Sequence, residues 1–90
     1  MKNHEIKSWP DYFSSIVSGD RQFDLRKNDR DYKVGDIIKF REFDDRTGKY
    51  TGADIRRRIT FVMEGVGTGS ITPLHGLQRG YVILALGSPA

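Results

Sequence analysis

Residues 19–31 read Gly-Asp-Arg-Gln-Phe-Asp-Leu-Arg-Lys-Asn-Asp-Arg-Asp, with four acidic and four basic side chains. Mixed charge this dense usually marks a solvated face. What constrains the fold is the apolar pair inside it, Phe23 and Leu25, which alternate with Gln22, Asp24 and Arg26. A spacing of two is the period of a strand with one buried face. The alternation predicts Phe23 and Leu25 in the core. It sets Asp24 and Arg26 on the opposite face, with Arg21 just before the strand. A carboxylate beside two guanidinium groups can fix both forks in place, and fixed forks suit phosphate oxygens or base edges. The bland alternative is an exposed ion pair worth about 0–1 kcal/mol.

The flanking sequence reads as further short strands around one helix. Residues 4–8 form a strand with His4, Ile6 and Ser8 on one face and Glu5, Lys7 and Trp9 on the other. Pro10 suits the first turn of a helix over 10–18, and Asp11 complements its N-terminal dipole. Phe13, Ile16 and Val17 share a helical face that Trp9 or Tyr12 extends, and Trp9 is expected in the core. Gly19 ends the helix, because glycine enters the left-handed region without steric cost. A strand over 37–43 leads into a polar hairpin connection over 44–54. The return strand over 55–63 should point Ile55, Ile59, Phe61 and Met63 inward and Arg56, Arg58, Thr60 and Val62 outward. Arg57 then falls on the apolar face, where it either reaches a cleft or snorkels at the rim.

The glycine-rich run 65–70 lacks the Gly-Lys-Ser/Thr ending of a phosphate-binding loop. Residues 71–80 read as a second loop or a single helical turn around Pro73 and Gly76. The apolar run 81–86 is consistent with a central strand buried on both faces. Together these elements predict an α+β fold of about five strands with one main helix near the N-terminus, the sheet curving toward a barrel. Ninety residues, 37% hydrophobic and 30% charged, allow a single domain, 1–90, with one core.

Several of these segments carry a family resemblance. Gly19, Arg21, Asp24 and Arg26 fit a Gly-x-Lys-x-x-Glu-x-Arg signature similar to that of ASCH domains, small relatives of the PUA fold. His4-Glu5-Ile6-Lys7, the run from Arg26 to Asp31, Val34-Gly35-Asp36 and Gly80-Tyr81-Val82 resemble a compact branch of that superfamily. Two positions depart from the signature: its Lys is Arg21 here, and its Glu is Asp24. The resemblance implies a PUA-like pseudo-barrel, with a cleft between the helical segment and the sheet near the start of the signature strand. It also implies RNA binding, or, as in some ASCH proteins, hydrolysis of a modified nucleoside or of RNA.

Composition narrows the chemistry. The chain has no cysteine, so it has no disulfide, no thiolate nucleophile and no Cys-ligated zinc. Two histidines far apart in sequence make neither a metal set nor a catalytic triad. No metal and no cofactor are expected. There is no membrane-length apolar run and no signal-like start, which points to a cytoplasmic protein. The net charge of +3 is mild, but beyond Glu64 the only charged side chain is Arg79, so the other basic residues lie in the first two thirds.

The function expected is nucleic-acid binding, with RNA or a nucleotide as partner. Lys7, Arg21 and Arg26 would clamp phosphate, Asp24 would orient the arginines, and Tyr50 or Tyr81 would supply an aromatic contact, with Arg57 near the cleft. The alternative is a hydrolase of an N4-acylcytidine type of nucleoside or of RNA, using Lys7, Arg21 and Asp24. A guanidinium is a poor base near neutrality, so Arg21 favours binding. A third possibility is a protein-interaction module.

Overall fold

Five strands and one helix are present in the computed structural model, which describes residues 1–65, 77 and 79–89. They are β1 (Asn3–Ser8), α1 (Pro10–Ser18), β2 (Phe23–Lys27), β3 (Ile37–Asp44), β4 (Lys49–Glu64) and β5 (Tyr81–Gly87). The sheet order is β1-β3-β4-β5-β2, with β1 parallel to β3 and the other pairs antiparallel. The result is a mixed half-barrel of α+β type. The glycine-rich loop expected beyond Gly65 and the loop or turn expected around Pro73 and Gly76 lie outside the described residues.

Alternation lays down the core. β1 buries His4, Ile6 and Ser8, β3 buries Ile38 and Phe40, and β5 buries Val82, Leu84 and Leu86. Phe13 and Ile16 of α1, with Tyr32 and Ile59, complete the buried cluster. Pro10 opens α1, and Gly19 closes it at φ 85°, its N–H donating to the Ile16 carbonyl at 3.1 Å. That left-handed residue turns the chain back toward β2, as its position predicts. Val17, Trp9 and Tyr12 do not join the core face; all three are exposed.

The structure departs from these expectations at several points. The hairpin connection is only residues 45–48, because β4 already begins at Lys49. Where β3 and β4 pair irregularly, Glu42 alone faces residues 51–53, and the Thr51 hydroxyl donates to its Oε1 at 2.8 Å. Farther along β4, Ile59 pairs with Leu86 and Phe61 with Ala85, so Thr60 is an extra residue in the ladder. Such a bulge inverts the side-chain parity that follows it. Phe61 therefore stands 58% exposed instead of inward, while Val62 packs on the core. β5, expected to be buried on both faces, buries one and leaves Tyr81, Ile83 and Ala85 on a more open side.

A further departure falls on the signature strand. β2 alternates as expected, but its faces are reversed: Asp24 is 7% exposed, whereas Phe23 is 52% and Leu25 56% exposed. A buried carboxylate is tolerable only when its lone pairs are met by strong donors. Two arginines meet them here.

Candidate functional site

Asp24 is the hub of a cluster built from three elements. Arg21, in the turn after Gly19, donates from Nη1 to Asp24 Oδ1 at 2.8 Å. Arg26, two residues along β2 on the same face, donates from Nε to Asp24 Oδ2. The carboxylate thus holds both guanidinium groups, as the spacing of the three residues predicts.

Their remaining donors differ. Arg21 spends its fork on the protein: Nε on the Ser15 hydroxyl (3.0 Å), Nη1 also on the Phe23 carbonyl (2.7 Å) and Nη2 on the Tyr12 carbonyl (3.0 Å). Four bonds from five N–H groups leave it little to offer a ligand. Arg21 ties α1 to β2, with most of its fork engaged by protein acceptors. Arg26 donates from Nη2 to the Lys7 carbonyl at 3.2 Å, and its Nη1 has no protein acceptor among the described residues. It keeps donors for a ligand.

Lys7 lies on the outward face of β1, its Nζ 4.5 Å from the centre of the Phe43 ring. With Arg26 it borders a cleft of about 530 Å³ that Arg21, Asp24 and Ser8 also line. The rest of the wall is Trp9, Tyr12, Phe23 and Leu25, which all present substantial apolar area to solvent. Trp9, Phe23 and Leu25, expected in the core, stand on this wall instead. The available signal was strand parity: Trp9 continues the outward series Glu5, Lys7.

The other expected contacts lie elsewhere. Tyr50 packs edge-on against Phe43 (5.1 Å between ring centres), and the Arg41 guanidinium covers it at 3.8 Å. Tyr81 borders a separate cavity of about 360 Å³ with Arg30 and Tyr32. Arg57 is an inward residue of β4 that donates to the Ile16 carbonyl in the last turn of α1 (3.4 Å) and to the Arg56 carbonyl (2.9 Å). A cation at that end complements the helix dipole, which accounts for an arginine on an apolar face. None of the three lines the main cleft.

A second buried polar pair joins the core face of β1 to the residue before β3. His4 Nε2 and Asp36 Oδ2 are 2.8 Å apart, and both residues are buried. Burial pushes the Asp36 carboxyl up, but hydrogen bonds from His4 and from the Lys2 and Lys33 amides hold it below the ordinary value. The His4 ring lies 4.7 Å from that of Tyr32. Burial raises the Tyr32 hydroxyl against the opposing pull of Arg26 and Arg30. A histidine on the buried face of β1 was the only sequence sign of this pair.

Among the described residues, no group of three or more His, Asp or Glu side chains is placed to hold a metal ion. Among them, too, no helix is long and apolar enough to cross a membrane.

Residues 3–86 match the model of the family described as a domain of unknown function, DUF3850, and the chain belongs to that family. It is also similar to an "uncharacterized 12.9 kDa protein in GpA 3'region" of Escherichia phage P2, at 35% identity over 83 residues. That alignment takes in 92% of this chain and 66% of the phage protein, so the chain spans just under two thirds of that relative's length.

Proposed function

We propose that this DUF3850 member is a PUA-like, ASCH-type domain that binds single-stranded nucleic acid, RNA foremost, in the cytoplasm. The observation that carries this reading is the composition of one cleft: exposed aromatic rings from Trp9, Tyr12 and Phe23 beside the cations Lys7 and Arg26. Unpaired bases stack on such rings, and phosphates pair with such cations. Asp24 fixes Arg26 by its Nε, which aims the rest of the fork without consuming it. Preorganisation of this kind lowers the ordering cost of binding. Duplexes hide their base faces, so the cleft favours single strands.

The test is titration of Trp9 fluorescence, since the chain has one tryptophan. Single-stranded RNA, duplex RNA, single-stranded DNA and free nucleotides would each be run at two salt concentrations. Quenching by single-stranded RNA is expected, with log K falling against log salt by about 0.7 per phosphate contact. Equal binding of duplex, or no binding at low salt, would overturn the reading.

A further inference from the structure

We propose that the outward face of β2, β5 and β4 is a base-stacking platform that carries a single-stranded nucleic acid onward from the cleft. The inference rests on the nucleic-acid reading of the cleft and extends it from a pocket to a track.

The platform follows from register. Ala85 of β5 pairs with Phe23 on one side and Phe61 on the other. One step along, Ile83 pairs with Leu25 and Met63. Paired residues share a face, so two adjacent cross-strand rows present apolar side chains on the side opposite the core. Neighbouring strands lie about 4.8 Å apart, which places the two phenylalanines roughly 10 Å from each other with only a methyl group between them. Both rings are more than half exposed. The Thr60 bulge is what brings Phe61 to this side, and the β2 reversal is what brings Phe23.

Charge selects the occupant. Lys27 pairs with Tyr81 at one end of the apolar rows, and Arg58 pairs with Gly87 at the other. From Arg56 onward on β4, and along β2 and β5, no described residue on this outward face is acidic. Flat rings between cations fit a chain of bases joined by phosphates. A second copy of the protein would set like charges against each other across the same face, on a chain of net charge +3. Phe23 and Leu25 belong to both the platform and the cleft wall, so the two surfaces are continuous.

The experiment compares a uridine dinucleotide with a uridine octanucleotide on wild type, Phe61→Ala, Phe61→Tyr and Arg26→Ala. Phe61 does not line the cleft and is largely exposed, so its removal leaves the cleft and the fold in place. Phe61→Ala is expected to weaken the octanucleotide about tenfold, the scale of one lost base stack, and to leave the dinucleotide unchanged. Phe61→Tyr, which keeps a ring, should bind like wild type, and Arg26→Ala should weaken both ligands. If Phe61→Ala matches wild type on the octanucleotide while Arg26→Ala still weakens it, the platform is wrong and the cleft stands. If neither ligand binds wild type, both fall. A wild-type dimer in sedimentation velocity that Phe61→Ala converts to monomer would make the face a self-association surface and overturn the platform.

Discussion

The Arg26 guanidinium reaches from β2 to the backbone oxygen of Lys7 on β1, 3.2 Å away, and so links the two strands at opposite ends of the sheet order. Arg30, in the segment after β2, donates to the Glu5 carbonyl of β1 at 3.1 Å. The half-barrel is closed at this seam by side chains. Arg26→Ala should weaken single-stranded RNA binding and reduce the salt slope by about 0.7, one phosphate contact. It should also speed amide exchange in β1. Weaker binding with an unchanged slope would mean that Arg26 acts only as a strut.

Arg21→Lys separates positioning from chemistry. The ammonium keeps the charge but cannot reproduce a planar fork that serves Ser15, Phe23, Asp24 and Tyr12 together. A loss of about 1–2 kcal/mol is expected from the weakened network. At about 4–8 °C per kcal/mol for a domain this size, thermal denaturation would read it easily. Neither form should hydrolyse N4-acetylcytidine. Wild-type turnover that disappears in Asp24→Ala would replace the binding function with a hydrolase.

Acid should act through Asp36. Its carboxyl is held below the ordinary value in the folded chain, so the stability it contributes is present above the unfolded value of about 3.9 and is lost as pH falls through the folded one. Denaturant midpoints should fall steeply below about pH 4 in wild type. Asp36→Asn should be less stable at neutral pH and show a shallower acid limb. An acid limb of unchanged steepness would assign the transition to other carboxyl groups.

The bulge leaves a mark at Gly87. A Cβ built there would lie 2.9 Å from the Thr60 Cγ2 methyl, closer than real side chains approach. Gly87→Ala should cost about 1 kcal/mol, at the low end of overpacking. Thr60→Ser removes that methyl, so the double variant should recover most of the loss in chemical denaturation. Additive effects would show that the strand end simply moves aside.

Local rules read most of this fold and less of its site. Helix limits, strand number and the parity of β1 were legible because Pro10, Gly19 and period-two burial act within a few residues. The facing of β2 was not legible, because it depends on Arg21 and Arg26 costing less to bury against Asp24 than either would cost unpaired. Polarity alone placed Asp24 outside. The Thr60 bulge has no composition cue, and it reversed Phe61 and Val62. Trp9 was expected in the core as an extension of the apolar face of α1, although parity had already set it with Glu5 and Lys7. The Asp24 triad itself was visible from spacing, but the division of labour between its two arginines depends on backbone carbonyls of α1 and β1 that only the folded chain brings near.

Strand order also fixes when the protein can become competent during its own synthesis. β2 emerges early, yet its sheet partner is β5, residues 81–87. Until the ribosome has made that stretch, residues 23–27 have no ladder to join. Pairing across so long a chain is slow and leaves Phe23 and Leu25 on an open edge in the meantime. A nascent chain halted before Tyr81 would therefore lack the partner strand of β2, whereas one that extends past Gly87 has both strands of that ladder.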